Sequence, residues 1–290
     1  MRKSMTRRDP TFVLTLSCPD QPGIVAAISG CLAVKGWNIT DSAQFGDPET
    51  GRFFLRTSFS TPDGLPPAEV RQTLAPIFER FDMAAELHDL SQRPRAVIMV
   101  SRFGHCLNDL LYRHRIGALR VDIRAIVSNH RDFYQLAASH DIPFHHLPVT
   151  TATKDRQEAR LAELIEEEAA DLVVLARYMQ ILSDDLCARL AGRAINIHHS
   201  FLPSFKGARP YHQAHRRGVK LIGATAHYVT AQLDEGPIIE QEVIRADHAM
   251  SAEDLVAAGR DVECLVLARA VKWHAEHRIL INGNRTVVFR

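Results

Sequence analysis

The chain has 290 residues, of which 46% are hydrophobic, and its 35 Lys and Arg residues are balanced by 34 Asp and Glu residues. This length and composition are typical of a globular protein with one large domain or two ordinary ones, and the balanced charge leads us to expect neither nucleic acid nor an acidic membrane surface as a partner. The five cysteines are far apart and odd in number, which predicts neither a disulfide framework nor a zinc ribbon and favours a reducing cytoplasm.

The first ten residues are predicted to form a flexible tail. Their basic cluster precedes an apolar run, as in a secretion signal, but Pro19 and Asp20 end that run too early and no small-residue cleavage pattern follows. No apolar stretch approaches the roughly 18 residues of a membrane-spanning helix. We therefore expect no targeting segment and no membrane association.

Residues 11–90 show the pattern of a small α/β domain. Alternating apolar residues predict strands at 11–17, 37–45, 52–60 and 82–90, and helical spacing predicts helices at 24–35 and 67–81. Pro22 suits the start of the first helix. The resulting βαββαβ order is the ferredoxin-like split pattern.

A polar joint at residues 91–94 separates this domain from residues 95–290. Apolar runs at 96–100, 123–127 and 172–176 then alternate with helical stretches at 106–116, 131–140 and 154–168, which predicts a Rossmann-like domain with a mostly parallel sheet. Residues 251–254 are typical of a helix cap, with a long amphipathic helix to about 274 and a closing strand at 286–289. Ligands bind such sheets at the carboxyl ends of the strands.

Three side chains are predicted to meet at that edge. Asn196 and His198 are two apart in an extended segment, so both point to the same face while Ile197 faces the core. Asp234 precedes a Gly-Pro turn that could bring its carboxylate beside His198. Together they supply a neutral donor, a titratable proton carrier and a base, the groups needed for attack on an acyl carbon.

The motifs around these residues are long and specific. Residues 195–203, 205–207, 223–229 and 233–239 resemble the 10-formyltetrahydrofolate-dependent formyltransferase family, and the resemblance extends over nearly the whole chain. It implies a formyltransferase fold for residues 95–290, a folate substrate, no cofactor, and Asn196, His198 and Asp234 as catalytic residues. The His pairs at 145–146 and 198–199 lack the helical spacing and the nearby ligands of a zinc site, so no metal is expected either.

The resemblance also implies a folate pocket. Residues 175–182 are similar to the family's pterin loop and residues 229–233 to the opposite wall, although both stretches also suit a core strand end. Gln180 stands where purine-pathway transferases carry Arg, so Arg177 is the candidate partner for the carboxylate of the folate tail. The predicted folate-binding residues are Arg177, Met179, Gln180, Ile181, Leu182, Val229, Thr230, Ala231 and Leu233.

One departure from the transferases bears on the acceptor. They open their first strand into a Gly-rich turn for a substrate phosphate, whereas this chain has bulky Arg102 and Phe103 there. That leaves water as the acceptor and implies hydrolysis to tetrahydrofolate and formate, feeding one-carbon and purine metabolism. Two alternatives stay open: a formyltransferase acting on an amine, and a non-catalytic amino-acid sensor. The roles of His199 and His227, and which of His198 and Asp234 is the formal base, also stay open.

The front domain resembles an ACT regulatory domain. In related domains the turn after the first strand and the start of the second strand hold an amino acid, here Asp20, Gly23, Asn38 and Ile39. The resemblance implies glycine or methionine as the effector and a homo-oligomer in which two such domains pair.

Overall fold

A computed structural model describes residues 11–62, 65–202 and 210–290. The predicted tail at residues 1–10 and the motif residues 203 and 205–207 lie outside this range. The chain divides into two compact units: the first ends at Gln92 and also includes His277–Asn282 and Val287–Arg290, and the second comprises Arg93–Glu276 and Gly283–Thr286. The second unit thus differs at its end from the domain predicted at residues 95–290, because residues 277–282 and 287–290 pack with the first unit.

The first unit contains an antiparallel four-stranded sheet with two helices. In chain order the elements are β1 (Phe12–Pro19), α1 (Ile24–Val34), β2 (Asn38–Asp47), β3 (Arg52–Ser60), α2 (Pro67–Arg80) and β4 (Ala84–Asp89). The strand order β2-β3-β1-β4 is ferredoxin-like. Gly23 begins α1 with a φ of 96°, a left-handed conformation that glycine adopts without steric cost. Apolar residues of β1, β3 and α1, including Leu14, Phe59 and Leu32, form the core.

The C-terminus returns to this unit. Arg56 of β3 is buried, and its Nε donates to the His277 carbonyl at 3.1 Å while Nη1 donates to Asp41 Oδ2 at 2.8 Å. Asn282 Nδ2 donates to Asp47 Oδ2 at 2.6 Å. These polar contacts are made between residues more than two hundred positions apart in the chain, which is why no local sequence pattern predicted them.

The second unit is built on a seven-stranded, mostly parallel sheet, as predicted. Its elements are β5 (Arg95–Val100), α3 (His105–Arg115), β6 (Asp122–Ser128), α4 (Tyr134–Ala138), β7 (Phe144–His146), α5 (Lys154–Glu167), β8 (Leu172–Leu175), α6 (Asp184–Arg189), β9 (Ala194–His198), α7 (Pro210–Arg217), β10 (Leu221–Tyr228), β11 (Ile238–Arg245) and α8 (Ala252–Ala275). A ribbon of β12 (Ile279–Asn282) and β13 (Arg285–Val288) follows.

The order of the large sheet is β11-β10-β9-β8-β5-β6-β7. Pairs from β9 to β7 are parallel, whereas β10 is antiparallel to both β9 and β11.

The helix predicted at 131–140 is shortened to the five residues of α4. The predicted cap of α8 is confirmed, because Ser251 Oγ accepts from the Asp254 N–H and Asp254 Oδ2 accepts from the Ser251 N–H. Among the described helices, none is long and apolar enough to cross a membrane.

Candidate active site

A cavity in the second unit lies where β8 and β9 end. It brings together every residue predicted to be catalytic or to bind folate, and adds Leu175, Tyr178, Cys187, Ile197, His199 and His227. Its predicted members are Asn196, His198, Asp234, Arg177, Met179, Gln180, Ile181, Leu182, Val229, Thr230, Ala231 and Leu233.

His198 and Asp234 form a buried pair in this cavity. His198 Nδ1 lies 3.2 Å from Asp234 Oδ1, and His198 Nε2 is buried with no hydrogen-bond partner among the described residues. Burial raises the pKa of Asp234, but opposing interactions, of which its hydrogen bond with His198 is the largest, outweigh burial and hold that pKa well below its usual range. Asp234 is therefore ionised and can accept a hydrogen bond from His198 Nδ1.

The register of the sheet places His227 beside Asn196. The two residues face each other across β9 and β10, with Asn196 Nδ2 3.3 Å from His227 Nε2. His227 Nδ1 lies 2.9 Å from the Tyr228 carbonyl, which can only accept, so Nδ1 carries the proton and Nε2 accepts from Asn196. His227 thereby fixes the Asn196 amide, whose second N–H remains for a substrate oxygen. The role of His227 could not be predicted from sequence. It depends on which ring nitrogen carries the proton, and the contact with the Tyr228 carbonyl determines this.

Two backbone features bring Asp234 to this position. Asp234 has a φ of 59°, a left-handed conformation that Asp tolerates better than most residues, and such strain is common at functional sites. Gly236 follows, and a Cβ there would lie 1.7 Å from the Tyr228 carbonyl oxygen and 3.2 Å from His227 Nδ1. The loop between β10 and β11 can approach the site only because residue 236 has no side chain.

We expect Gly236→Ala to lower turnover by on the order of 10²-fold, because the loop must retreat by about 1 Å or more and carries Asp234 with it. Steady-state kinetics measures this loss. Gly30→Ala is the control for glycine replacement, because Gly30 has open space for a Cβ and lacks a left-handed φ. A Gly236→Ala enzyme with parental turnover would contradict the steric argument.

The turn after β9 is held by buried polar contacts. Thr225 Oγ1 donates to the Ser200 carbonyl at 2.9 Å and lies 3.2 Å from the Leu202 N–H. Gln241 Nε2 donates to the Leu202 carbonyl and to Thr225 Oγ1, both at 3.0 Å. These bonds fix the chain direction immediately after His198, and β10 and β11 thus support the site as well as completing the sheet.

The cavity wall opposite the polar group is apolar. Met179, Ile181 and Leu233 are 50%, 61% and 57% exposed, which is unusual for large apolar side chains in a cavity and suits a flat heterocycle. Ser101 anchors this wall, because its Oγ accepts from the Met179 N–H at 2.9 Å and donates to Asn129 Oδ1 at 2.8 Å. Sequence reasoning missed Ser101 and Asn129, although Ser101 directly follows the buried strand β5.

Arg177 lines the cavity, but its charge is engaged elsewhere. Its side chain is 9% exposed and its Nε lies 3.4 Å from Glu263 Oε2, inside the protein. This contact is an ion pair and not a hydrogen bond, because Arg177 Nε has no hydrogen-bond partner among the described residues. The contact between Arg177 and the folate tail stays a prediction. Gln180, Thr230 and Ala231 line the cavity as predicted, and Thr230 Oγ1 donates to the Gln232 carbonyl at 3.0 Å within the loop.

The four predicted effector residues lie at two ends of the first unit. Asp20 is in the turn after β1, where its Oδ2 would lie 2.9 Å from a Cβ at Gly46, near the end of β2. Asn38 and Ile39 begin β2 at the opposite end, roughly 25 Å away at the rise of an extended strand. Gly23 is at the same end as Asp20, where it begins α1. One copy of the unit therefore does not bring these residues into a single site.

Comparison with known proteins shows which family the chain belongs to. The formyl transferase family model matches residues 94–271, which span β5 to most of α8. A formyltetrahydrofolate deformylase from Corynebacterium sp. (strain P-1) is 52% identical over 281 residues, which cover 96% of this chain and 98% of the relative. The chain belongs to the formyltetrahydrofolate deformylase family.

Solved structures of formyltetrahydrofolate deformylases share both units. The enzyme from Burkholderia mallei ATCC 23344 superimposes with a TM-score of 0.92 at 56% identity and covers 97% of this chain and 100% of its own. The enzyme from Pseudomonas syringae pv. tomato str. DC3000 gives a TM-score of 0.95 at 47% identity, covering 99% of this chain and 96% of its own. The predicted resemblance to the formyltransferase family is confirmed.

Proposed function

We propose that this chain hydrolyses 10-formyltetrahydrofolate to tetrahydrofolate and formate, with Asn196, His198 and Asp234 as its catalytic residues. The observation that carries the proposal is the ionised Asp234 paired with His198 at 3.2 Å, beside the Asn196 amide, in one cavity with an exposed apolar wall. The pterin ring lies against Met179, Ile181 and Leu233, and the formyl group reaches the polar end.

Hydrolysis of a formamide needs a polarised carbonyl, a deprotonated water and a protonated leaving nitrogen. The Asn196 N–H that His227 does not use donates to the carbonyl oxygen as negative charge develops there. His198 Nε2 takes a proton from the attacking water, and Asp234 stabilises the imidazolium that forms. When the tetrahedral intermediate collapses, His198 returns that proton to N10 and formate leaves.

The decisive experiment is formate release from 10-formyltetrahydrofolate with no amine present. We expect turnover with equal amounts of formate and tetrahydrofolate, and no inhibition by glycinamide ribonucleotide. Formylation of an added amine at the rate of formate release would instead place the chain among the transferases. An absence of both reactions would indicate a non-catalytic sensor.

We further propose that the first unit is an ACT-type regulatory domain and that the protein acts in the cytoplasm as a homo-oligomer, without a cofactor. Its ferredoxin-like antiparallel sheet supports the first part. The location is supported by five cysteines that are all free. The separation of Asp20 from Asn38 suggests that an effector site requires residues from two copies, because one copy holds only half of it.

Glycine or methionine is expected to bind the full-length protein and change turnover. A coupling of about 1–3 kcal/mol corresponds to a roughly 5- to 150-fold change in affinity between the two ligands. Calorimetry and kinetics with each amino acid measure it, and Asp20→Asn is expected to weaken the response without altering basal turnover. No binding and unchanged kinetics with both amino acids would leave the first unit as a packing or assembly module.

A further inference from the structure

Glu263 is a buried carboxylate in the middle of α8, beneath the cavity. Its side chain is 1% exposed, and its oxygens lie 2.8 Å from His105 Nε2 and 2.8 Å from the Tyr211 hydroxyl. Burial raises the pKa of Glu263, but the His105 hydrogen bond and the charge of Arg177 outweigh it and lower that pKa. An ionised carboxylate in the interior is costly unless it is paired, so this cluster needs an explanation beyond stability.

The surrounding chain is shaped to hold the cluster. Gly259 lies one turn before Glu263, and a Cβ there would be 2.2 to 2.5 Å from ring atoms of Tyr211. The missing side chain at Gly259 therefore admits the Tyr211 ring to Glu263. Arg177 has a φ of 65°, a left-handed conformation that turns it back from the end of β8 toward Glu263. His105, Cys106 and Glu263 could together offer ligand atoms to a metal, but Glu263 already accepts from two protein donors.

His199 lies between the Glu263 cluster and the pair of His198 and Asp234. The His199 ring centroid is 6.4 Å from that of Tyr211 and 5.2 Å from that of His198, and His199 lines the cavity. Two imidazoles whose ring centroids are this close lie within reach of one water that bonds at about 2.8 Å to a nitrogen of each. His198 Nε2 is buried without a hydrogen-bond partner among the described residues, and a reactant held at this nitrogen would satisfy it.

Burial, together with the charge of Arg177, keeps His199 neutral. Burial and then the charge of Arg177 lower the pKa of His199 to about 4, with His198 acting in the same direction and Glu263 and Asp234 opposing. Because this pKa is lowered, His199 is neutral at every pH above it and offers an acceptor nitrogen. Two adjacent histidines thus have different tasks, one carrying a proton and one staying unprotonated.

We propose that His199 is a further catalytic residue that holds the attacking water between itself and His198, and that Glu263 is a positioning residue that fixes Arg177 and Tyr211 behind it. This inference rests on the proposed hydrolysis. It explains why a buried charge cluster lies beside the catalytic pair, and it makes water a bound reactant held by two imidazoles.

Variants of His199 test the water contact. We expect His199→Phe to lower kcat for formate release by on the order of 10²-fold with KM nearly unchanged, because folate contacts remain. His199→Gln retains an acceptor oxygen and should keep most of that activity. Equal losses in both variants would show that His199 only packs, and parental kcat in His199→Phe would overturn its role. A wild-type enzyme that releases no formate would instead refute hydrolysis itself.

Variants of Glu263 test the positioning. Glu263→Gln keeps the shape but removes the charge, and we expect kcat to fall by roughly 10- to 10²-fold with KM nearly unchanged, because Arg177 and Tyr211 lose their anchor. Asp261→Asn, an exposed acid on the same helix, is the control and should match the parent. Circular dichroism establishes folding. Parental kcat in Glu263→Gln would overturn the positioning role.

Histidine NMR provides a readout that packing alone would not give. In the wild-type protein labelled with ¹³C at histidine, one imidazole, absent from the His199→Gln spectrum, should stay neutral from pH 8 down to about pH 5. Titration of that signal near the ordinary histidine pKa of about 6.5 would refute a permanently neutral acceptor. This measurement remains decisive even where Glu263→Gln fails to fold.

Discussion

Asp234→Asn is expected to lower turnover by roughly 10²- to 10⁴-fold while leaving the fold intact. The replacement is nearly isosteric, and Asn tolerates the left-handed conformation at φ 59° at least as well as Asp. It removes the ionised oxygen that lies 3.2 Å from His198 Nδ1 and 3.7 Å from His227 Nε2. Without that charge the His198 imidazolium is less stable, so proton transfer from water becomes harder.

The measurement is formate release under steady-state conditions, together with thermal unfolding to establish the fold. KM should change little, because Asp234 contributes charge to the transition state more than contact to the bound folate. Asp132→Asn, an exposed acid outside the cavity, serves as the control and should match the parent. A folded Asp234→Asn protein with parental turnover would remove Asp234 from the mechanism.

The positions of the three residues proposed to be catalytic could be predicted because their signals are local. Alternation along β9 placed Asn196 and His198 on one face with Ile197 in the core, and the Gly-Pro turn placed Asp234 at a loop end. The structure brings all three into one cavity. β3, which is buried along almost its whole length, was predicted with its observed bounds.

Glu263 and Tyr211 could not be predicted, for a physical reason. A single acid in an amphipathic helix is usually solvated, and only the approach of α7 to Gly259 shows that this one is buried. The same reasoning applies to Arg177, which sequence assigned to a substrate carboxylate and which the fold turns toward Glu263. The role of a charged residue depends on partners in distant elements, which its own sequence neighbourhood does not show. Apolar periodicity is visible within one element, so helices and strands are easier to predict.

Short elements were missed for another reason. β7 has three residues and α6 has six, which is too few for either periodicity to stand out. The return of residues 277–282 to the first unit depends on Arg56 and Asp47, which lie in strands near the start of the chain. The predicted effector residues lie near opposite ends of β2. This separation depends on the direction in which β2 runs, which the sequence motifs alone do not give.

His198→Ala is expected to cost as much as Asp234→Asn, roughly 10²- to 10⁴-fold in turnover, because the two residues act as one proton-transfer unit. The distinguishing experiment is the double variant. If Asp234 works only through His198, removing His198 first leaves Asp234 nothing to stabilise, and the double variant should be about as slow as the slower single variant. Independent residues would instead multiply their losses.

The comparison also separates the two candidates for the formal base. A water deprotonated by Asp234 itself would leave substantial turnover in His198→Ala, and the double variant would then lose that remainder. The lowered pKa of Asp234 argues against this, because a carboxylate that holds its proton so weakly is a poor acceptor from water. Full multiplicativity in the cycle would refute the shared unit, and non-additivity would establish that the 3.2 Å contact carries the proton chemistry.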